Sequence, residues 1–314
     1  MAIINIDDLH SDSSDSDAST QPSHFRSGYA VILGKPNAGK STLLNRLLGT
    51  HLSIATPKAQ TTRHQITGIY HDEDAQIVFY DTPGLITPTY ALQRTMMKSV
   101  EVAVEQADVA LFIFDPLDTF PSDDAIAFLK RWSIPMILLV NKVDLYADRV
   151  ESLAQRVEER FEGVDFTHQF WVSAKEGEKV DDFLTTLKSM IPLGPPLYPP
   201  DQLSEHPTRF FVAELIREQL FLQFEQEIPY SCAVQIIEYK EGDSRDDIYA
   251  EIIVNRDSQK GMIIGKKGAA IKNLGIASRA SIEALIGKQA FLDLRVKVRD
   301  KWRESDTWVR RFGY

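Results

Sequence analysis

Gly34-Lys35-Pro36-Asn37-Ala38-Gly39-Lys40-Ser41 is the stretch on which the reading of this chain turns. An apolar run, Tyr29 to Leu33, precedes it, and Thr42-Leu43-Leu44-Asn45-Arg46-Leu47-Leu48 follows. That is a strand, a glycine-rich loop and a helix, with the spacing G-x-x-x-x-G-K-[ST] of a phosphate loop. The glycines let backbone N–H groups turn inward on phosphate oxygens, and the helix adds its positive N-terminal end. Lys40 is placed to reach β- and γ-phosphates, Ser41 to ligate Mg²⁺, and Thr42 to complete the candidate nucleotide site over residues 34–42.

The chain has 314 residues, enough for two domains. Its net charge of −10 excludes an overall basic coat for nucleic acid, although the charge is unevenly distributed. One cysteine, Cys232, excludes an internal disulfide and points to a reducing compartment. Cys232 reads as a small buried residue on a strand. No apolar run reaches the length of about 18 residues that a membrane-spanning helix needs. Residues 1–27 contain Asp7, Asp8 and Ser11-Asp12-Ser13-Ser14-Asp15-Ser16-Asp17, the composition of a disordered acidic tail. That acidity fits neither a secretory signal nor a transit peptide.

From Tyr29 to Ile191 strand and helix patterns alternate. Gln65 to Tyr70 and Gln76 to Tyr80 bracket His71-Asp72-Glu73-Asp74 and predict a hairpin, so one strand would run antiparallel. Val109 to Phe114 and Pro135 to Val140 are continuous apolar runs, as in strands buried on both faces. The expected fold is α/β, a doubly wound sheet whose ligand sits at the carboxyl ends of the strands. Three further polar motifs fall at such ends. Asp81-Thr82-Pro83-Gly84 offers a carboxylate for Mg²⁺ and the Gly84 N–H for a γ-phosphate. Asn141-Lys142-Val143-Asp144 offers a carboxylate that accepts two N–H bonds from the Watson–Crick edge of guanine, a donor pair adenine lacks. Ser173-Ala174-Lys175 offers a backbone N–H for the guanine carbonyl. Alone, Asp-Thr-Pro-Gly is an everyday turn and Asn-Lys-Val-Asp an everyday loop; their order and placement carry the argument. Residues 28–190 resemble the GTP-binding domain of the small GTPases of translation and ribosome assembly.

That resemblance implies that Lys58-Ala59-Gln60-Thr61-Thr62-Arg63 is the first switch. It assigns Thr62, with Thr61 as the alternative, to Mg²⁺ when the γ-phosphate is present. Catalysis would then involve Lys40, Thr62 and Gly84, with Mg²⁺ on Ser41, Thr62 and Asp81. Asn37 matches a residue that helps hold K⁺ against the phosphates in related GTPases. One departure stands out. Ras-type GTPases carry a water-orienting Gln just after Asp-x-x-Gly, and here that position is Leu85. Hydrolysis is therefore expected to be slow alone, or to use another group or a partner.

Residues 192–207 hold Pro192, Pro195, Pro196, Pro199, Pro200 and Pro207, a semi-rigid linker. Residues 208–314 then read helix, strand, strand, helix, helix, strand, with Gly265-Lys266-Lys267-Gly268 between the two central helices. A G-x-x-G loop in this setting clamps single-stranded nucleotides in a KH module. Lys266, Lys267 and Lys272 would neutralise phosphate, and bases would lie in an apolar groove near Ile263, Ile264 and Ile271. The basic residues of this half form an electrostatic footprint for nucleic acid on an acidic protein.

The motifs together resemble the Era family of ribosome-assembly GTPases, over nearly the whole chain except the tail. The resemblance implies GTP hydrolysis, and GTP-gated binding to the 3′ end of 16S rRNA in 30S subunit assembly and maturation. It also implies peripheral membrane association in some members. The expectation is a cytoplasmic monomer that works on GTP and GDP, with peripheral association at the inner face of the membrane as the resemblance implies for some members. Two alternatives remain. One is a membrane-associated GTPase acting through protein partners. The other is a metabolic P-loop ATPase or kinase, against which Asn141-Lys142-Val143-Asp144 argues.

Overall fold

The computed structural model describes residues 24–118 and 120–314. The acidic segment up to residue 23 lies outside the described residues.

The first half contains β1 (Arg26–Leu33), α1 (Lys40–Leu48), β2 (Ile66–His71), β3 (Ala75–Asp81), α2 (Ala91–Glu105), β4 (Val109–Phe114), α3 (Asp123–Lys130), β5 (Met136–Val140), α4 (Val150–Arg160), β6 (His168–Trp171) and α5 (Val180–Met190). The sheet order is β2-β3-β1-β4-β5-β6. All neighbours are parallel except β2 and β3, the expected hairpin. β4 and β5 are buried at every position, because helices cover both faces. Leu43 and Leu44 of α1 and Phe183 and Leu187 of α5 pack on one face. Val100 and Ala103 of α2, Ile126 of α3 and Val157 of α4 pack on the other.

The Pro-rich linker does not span open solvent. It is strapped along the sheet: Ile69 N–H donates to Leu203 O (2.9 Å), Ser27 Oγ to Pro195 O (2.6 Å), and Gln76 Oε1 accepts from Leu197 and Tyr198 N–H.

The second half contains α6 (Thr208–Gln223), α7 (Ile228–Ser231), β7 (Ala233–Lys240), β8 (Arg245–Val254), α8 (Asp257–Ile264), α9 (Ala269–Ile286), β9 (Gln289–Val298) and α10 (Asp306–Arg311). β8 is central, antiparallel to β7 and parallel to β9. The parallel pairing needs a crossover, which α8 and α9 supply. Cys232 is buried in the bend before β7 rather than on the strand. Leu220 and Ile216 of α6 and Leu274 and Ile282 of α9 cover one face of this sheet. The other face sends Ala233 and Ile253 into a cluster with Leu92 and Met96 of α2 and with Trp302, Val309 and Phe312 near α10. A core residue set is thus shared by the two halves.

Candidate nucleotide and RNA sites

Local chemistry shapes the phosphate loop. Gly39 caps α1 with φ 105°, and a Cβ there would lie 2.1 Å from Asn141 Nδ2. A Cβ on Gly84 would lie 2.5 Å from the Pro36 nitrogen, so only glycine lets the Asp81 strand end meet the loop this closely. Leu85 N–H donates to Gly34 O (3.0 Å) and closes that contact.

Beside the loop is a cavity of about 660 Å³, lined by Asn37, Lys40, Ser41, Thr62, Gly84 and Lys175 among others. Lys40 Nζ donates to Lys35 O (2.9 Å) and Gly34 O (3.2 Å). Burial pushes its ammonium down to about 8, against the pull of Asp81. Burial likewise pushes the Asp81 carboxyl up from the ordinary range. Burial disfavours the charged form of both groups.

Three oxygens converge here. Ser41 Oγ donates to Asp81 Oδ2 (2.7 Å) and lies 3.0 Å from Thr62 Oγ1. Asp81 Oδ1 is buried with no hydrogen-bond partner. An orphaned carboxylate oxygen beside two hydroxyls is the donor set of a hard divalent cation, so the residues fit Mg²⁺. Thr61, the alternative, is engaged elsewhere: its hydroxyl bonds Thr56 and Lys58 O. Ser53 also donates to Asp81 Oδ2 (2.7 Å), held by Asn45, whose Oδ1 accepts from Leu52 and Ser53 N–H. No motif in the sequence announces Ser53, since its role depends on how the loop after α1 folds back.

A second cavity of about 270 Å³ continues from the first, lined by Gly39, Thr42, Asn141, Lys142, Asp144 and Lys175. Asn141 ties it together: Nδ2 donates to Ala38 O (2.8 Å) and Oδ1 accepts from Ala174 N–H (2.9 Å). Lys142 pairs with Asp115 (2.9 Å). Asp144 is exposed on a 3₁₀ turn, free to face a base. Arg46 of α1 donates to Ala174 O and Lys175 O and steadies that loop from behind.

Some expected contacts turn away. Thr82 is fully buried and donates to Ile32 O (2.7 Å), so it braces β1. Pro83 and Ala174 are buried supports, and Ser173 Oγ accepts from Glu176 N–H (3.0 Å). Lys35 extends to Asp118 at the rim.

The first switch joins the second half of the chain. Arg63, buried beside Thr62, donates to Cys232 O (2.6 Å) and Pro229 O (2.7 Å). Lys58 Nζ donates to Phe221 O and Phe224 O at the C-terminal end of α6, where a cation is favoured. His51 meets Glu218 at 3.3 Å, which raises the His51 imidazole above its ordinary value.

In the second half, Lys266 and Lys267 are exposed on the turn between α8 and α9. A groove of about 340 Å³ between α9 and β9 is lined by Ile271, Lys272, Gly275, Ile276, Arg279 and Phe291. Ile263 is not at its surface. It is fully buried against Leu220 and Ile252, because the inward stripe of α8 takes it into the core. On α8 Met262 is the exposed apolar residue, and Ile264 is half-buried.

A phosphate loop with its strand-end motifs, followed by a helix-strand-strand-helix-helix-strand domain with G-x-x-G, defines a GTPase fused to a KH domain. The family described as 50S ribosome-binding GTPase matches residues 29–142, and the KH domain family matches residues 227–303. The maize protein GTPase ERA1, chloroplastic, is 43% identical over 299 residues, covering 93% of this chain and 71% of that protein. A rice GTPase ERA-like, chloroplastic, is 44% identical, covering 93% and 70%. The solved structure of Era with MgGDPNP and nucleotides 1506–1542 of 16S ribosomal RNA superposes with a TM-score of 0.88 at 39% identity, covering 93% of this chain and 99% of that one. An Aquifex aeolicus Era variant bound to GDP and AlF4⁻ gives 0.88 at 38% identity, covering 92% and 99%. The chain belongs to the Era family of GTPases, and it hydrolyses GTP to GDP and phosphate.

Proposed function

We propose that this chain is a GTP-driven switch that binds the single-stranded 3′ end of 16S rRNA and assists 30S subunit assembly and maturation. The working units are a GTP-binding domain over 28–191, a linker over 192–207 and a KH domain over 208–314. Residues 34–42 and Gly84 hold the phosphates, with Lys40 on the β- and γ-phosphates. Ser41, Thr62 and Asp81 hold Mg²⁺, which supplies charge neutralisation on the triphosphate when bound. Asp144, Asn141 and the Ser173-Ala174-Lys175 loop read guanine. Asn37 contributes to a K⁺ site. Its Nδ2 donates to Pro57 O (2.8 Å), which ties the residue just before the first switch to the phosphate loop. Gly265 to Gly268, with Lys272 and the α9–β9 groove, takes the RNA. The protein acts as a monomer.

One observation carries the switch reading. Thr62 stands in the oxygen cluster of the proposed Mg²⁺ site, and the next residue, Arg63, is bonded into the KH domain. A change at the γ-phosphate therefore pulls directly on α7 and the start of β7. The relative with MgGDPNP and 16S rRNA supports the ligand pair. Among the described residues no helix is long and apolar enough to cross a membrane, and nothing favours a lipid partner over RNA. The maize and rice relatives are named chloroplastic, so a plastid setting stands beside the cytoplasmic one.

The test is binding of a short RNA from the 3′ end of 16S rRNA with GTP analogue, with GDP and without nucleotide, at fixed salt. Tighter binding with the analogue, lost in a Lys266→Glu, Lys267→Glu double variant, is expected. Equal binding in all three states would refute the switch.

A further inference from the structure

The phosphate cavity lacks a water-orienting residue where Ras-type GTPases keep theirs. Leu85 occupies that position, and its side chain packs against the core on the α2 face of the sheet. It carries no donor or acceptor and faces away from the reaction. We propose that Gln60, on the first switch, supplies the missing carboxamide and is a catalytic residue of GTP hydrolysis. This inference rests on the assignment of the cavity to the triphosphate.

Four observations converge on Gln60. It lines the phosphate cavity together with Lys40, Ser41, Thr62 and Gly84. Its carboxamide has no hydrogen-bond partner among the described residues, whereas Asn37, the other carboxamide in that wall, donates to Pro57 O. Its backbone sits at φ 58°, a left-handed conformation that a non-glycine residue adopts only where its surroundings impose it. Finally, its position is fixed from both sides. Two residues before it, Lys58 is anchored on the α6 end, and Thr61 Oγ1 donates to Lys58 O (2.7 Å). Two residues after it, Thr62 stands 3.0 Å from Ser41 Oγ. A loop pinned this way presents the residue between its anchors to the cavity.

The chemistry needs what a carboxamide has. Its oxygen accepts a hydrogen bond from the attacking water, and its N–H donates to a γ-phosphate oxygen. The water oxygen forms a bond to the γ-phosphorus. The bond from that phosphorus to the β–γ bridging oxygen breaks, and its electron pair stays on GDP. Both water hydrogens end on the released phosphate, H2PO4⁻. Because Lys58 hangs the loop on α6, the placement of Gln60 depends on the KH domain being docked, so hydrolysis and RNA-domain position share one lever.

The test is single-turnover hydrolysis of GTP by excess full-length protein, alongside the affinity for the non-hydrolysable analogue GDPNP. Gln60→Gly keeps the left-handed backbone comfortable and removes only the carboxamide. Gln60→Glu keeps the shape and removes the donor. Both are expected to slow hydrolysis about 100-fold, a typical loss for a group that handles the attacking water; GDPNP affinity stays within about twofold of the parent in Gln60→Gly, and falls in Gln60→Glu because the added carboxylate repels the γ-phosphate. Hydrolysis within about threefold of the parent in Gln60→Gly would overturn the proposal. Parallel loss of hydrolysis and GDPNP affinity in Gln60→Gly would overturn it too, by making Gln60 a loop scaffold. A Lys40→Ala control separates the two layers: if that variant binds GDPNP as well as the parent, the triphosphate assignment itself has failed.

Discussion

Arg63 is the residue whose removal should disconnect the two halves while leaving each intact. It is 3% exposed, and its guanidinium makes bonds of 2.6 and 2.7 Å to Cys232 O and Pro229 O, with the ring of Phe221 5.9 Å from its centre. Arg63→Met keeps most of the apolar stem on Phe221 and deletes both bonds. Hydrogen bonds from a charged donor contribute about 1.5–3 kcal/mol each. At the lower figure for each of the two bonds, the docked arrangement loses about 3 kcal/mol. That is roughly a 100-fold change in the docking equilibrium. The coupling between γ-phosphate and RNA is reciprocal, so its loss should appear in the RNA affinity. The assay is RNA binding by the parent and Arg63→Met, each with GTP analogue and with GDP, read as the ratio of the two affinities. The ratio should fall towards one in the variant. Amide exchange between Phe221 and Cys232 should lose its nucleotide dependence in the same samples. A ratio within about twofold of the parent would refute the reasoning and move the transmission route to α2.

Three other outcomes follow from the same geometry. Asp144→Asn should weaken GDP binding and favour xanthine nucleotides, since an amide donates where the carboxylate accepts; retained guanine selectivity in competition binding would remove Asp144 from the base site. Leu274→Ala, at a fully buried position on the inward face of α9, should lower stability by about 2–5 kcal/mol, measured by denaturant unfolding, while GDP affinity stays unchanged. The hydrogen bond that His51 donates to Glu218 raises the imidazole above its ordinary 6.5. A raised histidine stabilises fully below about pH 6.5, and that contribution disappears as pH climbs through the raised value. The difference in melting temperature between the parent and His51→Asn should therefore be present near pH 6 and vanish near pH 9. A constant difference would mean the pair acts without titrating.

What could be read from sequence alone was whatever local chain chemistry determines. Gly34 to Ser41, Asp81 to Gly84 and Asn141 to Asp144 announce themselves, because a turn at the end of a buried strand needs glycine, proline or a polar cap in fixed register. The hairpin of β2 and β3 was legible for the same reason. Arg63, Lys58, Ser53 and Arg46 were not, because their partners are carbonyl or carboxylate oxygens brought near only by tertiary folding. A surface arginine and a bridging one look identical in a string of letters. Ile263 was misplaced because an eight-residue helix gives too few turns to separate its inward stripe from its groove-facing one. α7 and α10 were missed because helices this short carry almost no periodic signal.

The shared cluster of Leu92, Met96, Ile253, Trp302 and Phe312 has a consequence for biosynthesis. α2 is made early, while α10 and the segment around Trp302 are made long after it. As domains fold from the N-terminus during synthesis, the nucleotide sheet can mature while the apolar side of α2 still waits for its cover. A nascent chain at that stage exposes Leu92 and Met96 and has no finished RNA groove. The nucleotide site and the RNA-domain groove are both complete only after translation has passed α10. A ribosome stalled within the last segment should therefore hold a product that binds guanine nucleotide and is prone to aggregate through α2.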